Sequence, residues 1–213
     1  LGSHAKALPL HERALAIKEK ALGPEHPSLG LYLNNLAILF QTMGAYSKAH
    51  PLFERALAIR EKAFGRKHLN TAESLNNLAN LLRIQGAYSE ALPLLERSLE
   101  IKEKALGPEH ADVAISLNNL ATLFQSMGSY SKARLLYERA LRIKEKALGP
   151  GDPSLATSLN NFGVVLYKQG FYAEARPLYE RALEIREKTL GLEHPEVAKS
   201  LNNLALLFKS TGF

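Results

Sequence analysis

The chain has no cysteine and no tryptophan, and two methionines in 213 residues. Without cysteine there is no disulfide framework and no thiolate metal site. No apolar run approaches the length of a membrane-crossing helix, and no charged-then-apolar leader opens the chain. A soluble, cytoplasmic protein with no membrane partner is the expectation. A phosphate-binding glycine loop, a nucleophile elbow and a His-Glu-x-x-His helix are also missing. Neither an enzyme nor a cofactor is expected. Glycine and proline are not enriched, at 14 and 10 residues, and they recur at fixed places, which argues for ordered turns rather than disorder. The net charge is +6, but the cations are interleaved with acids, as in Glu54-Arg55 and Arg60-Glu61-Lys62. Glu100 with Lys104 and Glu184 with Lys188 are i,i+4 pairs of the favourable polarity. A nucleic-acid surface needs clustered, unpaired cations, so nucleic acid is not an expected partner and the charges read as a solvated helix face.

What the chain does have is repetition. Leu33-Asn34-Asn35-Leu36-Ala37 recurs at Leu75–Ala79, Leu117–Ala121 and Leu201–Ala205, with a drifted copy at Leu159-Asn160-Asn161-Phe162-Gly163. The spacing is 42 residues each time, without insertion or deletion. Self-similarity of this period marks a solenoid. Residues 1–213 therefore read as one array, which offers a long surface rather than a pocket and makes binding the first functional expectation.

Within one period, Leu29, Leu33, Leu36, Ala37, Leu39 and Phe40 recur at helical spacing. Gly44 ends the run, as a residue that tolerates positive φ at a helix C-terminus. Tyr46, Ala49, Leu52, Phe53, Ala56, Leu57 and Ile59 form a second helical pattern that stops at Gly65. The unit is a helix A over about 27–43, a tight turn, a helix B over about 46–64 and a short loop. So short an A–B turn makes the two helices antiparallel neighbours. In the B–A loop, Asp152-Pro153 is a good N-cap and first-turn pair. His26, His68, His110 and His194 take the slot of Asp152 and are expected to cap less well or to pack over the turn. One histidine per repeat cannot converge on a metal ion, because ligands must lie about 2 Å from one point while neighbouring helices pack about 8–10 Å apart. Small residues mark close backbone approach: Ala49, Ala91, Ala133 and Ala175 in one series, Ala14, Ala56, Ser98, Ala140 and Ala182 in another. Pro9, Pro51, Pro93 and Pro177 lie early in helix B, where each removes a backbone bond and favours a bend.

Leu36-Ala37, Gly44-Ala45-Tyr46, Ala49, Phe53 and Ala56-Leu57 resemble the tetratricopeptide repeat (TPR). The longer period, with Leu-Asn-Asn-Leu-Ala and Leu-Gly-Pro-Glu-His, is similar to the kinesin-light-chain type of that repeat; the closing proline slot of the family holds Glu61 here. The resemblance implies an all-α, right-handed α-solenoid of antiparallel helix pairs, about ten helices, that binds protein through a concave groove lined by the A helices.

The paired asparagines at 34/35, 76/77, 118/119, 160/161 and 202/203 need a reason, since asparagine is a mediocre helix former. Successive helical residues point about 100° apart, so one of each pair can face a groove and the other a neighbouring helix. The groove candidates are Asn34, Asn76, Asn118, Asn160 and Asn202, with the variable residues Asn80, Arg83, Tyr167, Lys168, Lys199 and Lys209. Both ligand-binding and structural hydrogen bonds fit the asparagines. Arg83, Lys168, Lys199 and Lys209 against Glu73 lean basic, which is compatible with an extended, acidic peptide. The alternative is a structural module that self-associates. Gly2-Ser3-His4 stands where other copies read Gly-Ala-Tyr, like an added remnant. The chain opens with an unpaired helix B over about 5–22 and closes with an unpaired helix A over about 195–211. Leu8, Leu15 and Ile17 at one end, and Leu204, Leu207 and Phe208 at the other, are expected to be bare and complementary, so that molecules could stack head to tail.

Overall fold

The computed structural model describes residues 2–212; the terminal Leu1 and Phe213 that frame the expected ends lie outside the described residues. Those residues form ten α-helices and no strand. The B-type helices are α1 (Gly2–Leu22), α3 (Tyr46–Phe64), α5 (Tyr88–Leu106), α7 (Tyr130–Leu148) and α9 (Tyr172–Leu190). The A-type helices are α2 (Leu29–Thr42), α4 (Leu69–Ile84), α6 (Ala111–Ser126), α8 (Leu155–Lys168) and α10 (Pro195–Thr211). The helices gather into two compact units that meet in sequence at Leu106 and Gly107. In the first, α2 pairs with α3 and α4 with α5, α1 packs on α2, α3 packs on α4, and α2 touches α4. In the second, α6 pairs with α7 and α8 with α9, α7 packs on α8, α9 packs on α10, and α8 touches both α6 and α10.

Ten glycines with positive φ, from Gly23 to Gly212, fall 21 residues apart and close the ten helices. At Gly44 the backbone makes both bonds of a Schellman turn: Gly44 N–H donates to the Gln41 carbonyl and Ala45 N–H to the Phe40 carbonyl, at 3.0 and 2.8 Å. Ala45 then precedes α3 directly, so the chain reverses in three residues, Met43 to Ala45. The other end of each A helix corrects the expectation for histidine. The Nδ1 atoms of His68, His110 and His194 accept the backbone N–H groups of Asn70, Asp112 and Glu196 at 3.1, 3.1 and 3.2 Å. The unprotonated ring nitrogen does what a capping carboxylate does. His68 also stacks on Phe64, with centroids 4.8 Å apart. Pro51, Pro93 and Pro177 sit inside unbroken helices, on their exposed sides.

The small-residue series are where helices touch. Ala49, Ala91, Ala133 and Ala175 are buried, as are Ala56, Ser98, Ala140 and Ala182, and Ser98 Oγ donates to the Ala72 carbonyl at 2.8 Å. In the second unit a core of Phe162, Val165, Leu166, Tyr137, Tyr179, Leu204 and Leu207 joins four helices. Neither helix type could hold such surface out of water alone.

Part of the charge is structural. Arg55 pairs with Glu19 at 2.6 Å and donates to the Pro24 carbonyl at 2.8 Å. Arg97 repeats this with Glu61 and the Arg66 carbonyl, and Arg181 with Glu145 and the Pro150 carbonyl. Each arginine thus ties its B helix to the preceding B helix and to the loop that leaves it. Reading these charges as solvated missed this. The signal was present: arginine at 13, 55, 97, 139 and 181, and glutamate at 19, 61, 103, 145 and 187, never vary.

Candidate interaction faces

Helices α2, α4, α6 and α8 bury the side formed by their leucine and alanine positions, which leaves one stripe open; α10 buries Leu204 and Leu207 but exposes Leu201 and Ala205. In α2 the stripe is Leu31, Asn35, Ile38 and Thr42, all exposed. In α4 it is Glu73, Asn77, Asn80 and Ile84, with Arg83 beside it donating to Asn80 Oδ1 at 2.9 Å. The second unit presents Ile115, Asn119, Thr122 and Ser126 on α6. It presents Thr157, Asn161, Val164 and Lys168 on α8, and Lys199, Asn203, Leu206 and Ser210 on α10. The spacing i, i+4, i+7, i+11 is that of one helical face. These positions change chemistry from copy to copy, apart from the asparagine.

The two asparagines of each pair part company. Asn34 and Asn76 are buried, at 2% and 7% exposure. Asn34 Nδ2 donates to Ser74 Oγ at 3.3 Å, and Asn118 Nδ2 to Ser158 Oγ at 3.0 Å. Each bond runs from one A helix to the next A helix in the same unit. The same serines receive a buried cation from the B helix. Arg60 donates to Ser74 Oγ at 3.1 Å and to the Asn70 carbonyl at 2.9 Å, and pairs with Glu73 at 2.8 Å. Lys144 reaches Ser158 Oγ and the Ser154 carbonyl, both at 3.2 Å; burial pushes its ammonium down from the ordinary lysine value. Arg186 reaches Ser200 Oγ at 2.6 Å. Asn160 is half-buried and accepts from Asn203 Nδ2 at 2.7 Å, while Asn202 is exposed. Of the first-asparagine series, Asn34 and Asn76 are thus buried and Asn118 and Asn160 are bonded between helices. The second asparagines lie on the open stripe, exposed at Asn35 and half-buried at Asn77, Asn119, Asn161 and Asn203, the last of which is bonded to Asn160. Sequence comparison alone marked the pairs but not these partners. The recurring Ser74, Ser116, Ser158 and Ser200, with Arg60, Lys102, Lys144 and Arg186, were the available sign.

Among the variable candidates, Tyr167 is half-buried; its hydroxyl lies 2.8 Å from Ser210 Oγ, and its ring tilts against Tyr172. Lys199 pairs with Glu196, whose carboxyl is held below its usual value chiefly by that hydrogen bond. Lys168 and Lys209 are exposed and have no ion-pair partner among the described residues. At the expected ends, Leu15, Leu204 and Leu207 are buried within their own units rather than bare. Leu8 and Phe208 are half-buried, and Ile17 is exposed. The Arg176 guanidinium covers the Phe208 ring at 5.4 Å. Among the described residues no group of three His, Asp or Glu is placed to hold a metal ion, and no helix is long and apolar enough to cross a membrane.

Antiparallel helix pairs with tight glycine turns, small residues at the crossings and a variable face on every A helix define the repeat. Tetratricopeptide repeat profiles match residues 1–62, 51–104 and 70–146, and a second such profile matches residues 155–196. The chain belongs to the tetratricopeptide repeat family. Among solved structures it is similar to BtubC (BKLC) from P. vanneervenii, at 25% identity and a TM-score of 0.75 over 99% of this chain and 82% of that one. It is also similar to a putative kinesin light chain of P. anserina with nearly identical TPR-like repeats. There the identity is 31% and the TM-score 0.74, over 88% of this chain and 89% of that one. A single-residue variant of that protein aligns with 30% identity and a TM-score of 0.75, over 88% of each chain. No curated protein matches. The repeats are thus of the kinesin-light-chain-like type, and the fold is an all-α, TPR-like solenoid. Such repeats are scaffolds that generally mediate protein–protein interaction and are typically not enzymes.

Proposed function

We propose that this chain binds an extended peptide along its A-helix stripes, and that the second unit takes a segment carrying acidic residues. The observation behind this reading is the stripe itself: exposed or half-exposed, variable in chemistry, and laid over an almost invariant core. The asparagine kept on every stripe supplies an amide that can both donate to and accept from a peptide backbone. Neighbouring A helices lie about 8–10 Å apart and an extended chain advances about 3.3 Å per residue, so each repeat spans roughly three ligand residues. Lys168 and Lys209, free of internal ion-pair partners, supply the preference for carboxylates, and Val164 and Leu206 supply apolar contact between them.

The test is a peptide-array screen of the full chain followed by affinity measurement on the best acidic sequence. Lys168→Glu with Lys209→Glu should weaken it about tenfold or more, and Asn161→Ala should weaken it with little loss of helicity. Ala at Asn118 should instead lower stability, because it strips Ser158 of a partner. Unchanged affinity in the lysine pair would remove the acidic-segment reading. Head-to-tail self-association is the second reading, and one feature favours it. Tyr172, Ala173, Arg176, Leu207, Phe208 and Thr211 line an open recess of about 380 Å³ on α9 and α10. Light-scattering mass that rises with concentration, and no longer rises in Phe208→Glu, would support it; a constant monomer mass would end it.

A further inference from the structure

The B–A loops read Gly23-Pro24-Glu25-His26, Gly107-Pro108-Glu109-His110, Gly149-Pro150-Gly151-Asp152 and Gly191-Leu192-Glu193-His194. The loop after α3 reads Gly65-Arg66-Lys67-His68. It is the one loop with cations where the others carry proline or leucine and then glutamate or glycine. The consequence is visible across the repeat. In the preceding copy Lys62, from the last turn of α3, bonds to the loop carboxylate of Glu25. The equivalent of Lys62 is Lys104, and the equivalent of Glu25 is Lys67. Lys104 turns instead to Glu100, four residues back on its own helix. Lys67 has no carboxylate within ion-pairing distance among the described residues. Arg66 reaches Glu61, at 3.8 Å, and Glu61 is already held by Arg97 at 2.6 Å.

This inversion sits on a cavity. A recess of about 540 Å³ is lined by Arg66, Lys67, Arg97, Glu100, Ile101, Lys104 and Ala105. Its floor is the apolar side of α5, and its rim carries four cations against two carboxylates, Glu100 in the lining and Glu61 beside Arg66 and Arg97. The volume is within the range of ordinary ligand clefts. Two carboxylates leave the rim with an excess of positive charge, carried by Lys67, and that excess favours an anion. Arg66 and Lys104 are long, exposed side chains that can close over such a group.

We propose that this recess, between the α3–α4 loop and α5 on the B-helix side, is a second docking site for an acidic segment of a partner protein. Carboxylates meet Arg66, Lys67 and Lys104, and an aliphatic side chain rests on Ile101 and Ala105. The site is independent of the A-helix stripes, because none of its residues lies on an A helix.

The test is methyl NMR on the full chain, with a capped Leu-Glu-Leu-Glu-Glu peptide as the probe and its Leu-Gln-Leu-Gln-Gln counterpart as the control. The Glu peptide should shift the Ile101 and Ala105 methyls saturably at low salt, and the Gln peptide should not. The double variant Arg66→Pro, Lys67→Glu restores the loop this chain already uses at Pro24-Glu25. It keeps the backbone carbonyl that Arg97 binds and gives Lys104 the partner that Lys62 has. It should therefore fold with an unchanged unfolding midpoint and bind the Glu peptide about tenfold more weakly or worse. Absent shifts, equal response to the Gln peptide, or full affinity in the double variant would each overturn the proposal. So would inorganic phosphate saturating the same shifts at the same concentration, because the recess would then hold a bare anion rather than a protein segment.

Discussion

At Gly163 the repeat departs from alanine, and the Tyr179 ring fills the space of the missing Cβ, whereas its equivalents Phe53 and Tyr137 are buried alongside Ala37 and Ala121. A Cβ built there would lie 2.6 Å from Cε1 and 2.8 Å from Cδ1 of Tyr179, inside any real contact. Tyr179 is buried, which pushes its hydroxyl up from the ordinary tyrosine value. Gly163→Ala gains about 0.5–1 kcal/mol of helix propensity and loses about 1–3 kcal/mol to overpacking, so net destabilisation is expected in urea unfolding. Adding Tyr179→Leu copies the first unit, where Ala79 coexists with Leu95, and should recover the loss; a more stable Gly163→Ala alone would show that the ring yields. The buried cation at 144 gives a second test. Arg186 holds Ser200 Oγ at 2.6 Å where Lys144 holds Ser158 Oγ at 3.2 Å. Lys144→Arg supplies the planar fork and should stabilise. Burial lowers the lysine value in the folded state, so the folded chain binds fewer protons than the unfolded chain just below the ordinary lysine value of 10.5, and wild-type stability rises with pH there. That slope should vanish in the arginine variant, and its persistence would mean that another group causes it. The core leucines and alanines at these crossings were legible from periodicity alone. The cation–serine–asparagine contacts were not, because hydrogen bonds between helices, 14 positions apart for cation to serine and 40 for asparagine to serine, leave no periodic trace within one helix.

Helix limits were legible to within two residues except at α1, expected from about 5 and found from Gly2, since glycine turns leave little choice. The start of helix A was harder, because histidine and aspartate solve the same problem differently. In α8, Asp152 Oδ1 accepts the Ser154 N–H at 2.8 Å, and its carboxyl is held below the usual aspartate value chiefly by bonds from Ser154. A depressed folded value contributes stability that is present above the unfolded value and is lost as pH falls through the folded one. The start of α8 should therefore loosen only below about pH 3.8, the ordinary aspartate value. Asp152→Asn keeps an accepting oxygen that does not titrate, so hydrogen exchange at residues 154–157 should lose its acid dependence in that variant. Unchanged acid dependence would place its cause elsewhere. The mixed charges of the B helices were misread for a related reason. Comparing residues along one helix shows i,i+4 pairs, whereas Arg55, Arg97 and Arg181 find their partners on the preceding B helix.

For the whole chain, the 42-residue period marked a repeat array, the helical spacing within it made the array all-α, and the resemblance to the tetratricopeptide repeat supplied the packing. The division into two compact units was not legible. Its border, Leu106-Gly107, carries the same Leu-Gly as Leu22-Gly23, Leu148-Gly149 and Leu190-Gly191, so no composition change marks it. The stripe on the A helices was half legible: the variable series was visible, but which asparagine belonged to it depended on where its neighbour found a hydrogen bond. Stability in such a chain is approximately a sum of repeat terms and nearest-neighbour terms. Phe53 is fully buried on α3, between α2 and α4, so Phe53→Ala should cost about 3–5 kcal/mol locally. Native-state hydrogen exchange should then show protection falling most in α2, α3 and α4. The matching change in the second unit, Tyr137→Ala, removes another fully buried ring, and protection should fall most in α6, α7 and α8. If either substitution lowered protection equally in all ten helices, the chain would unfold as one cooperative body and the local account of its stability would fail.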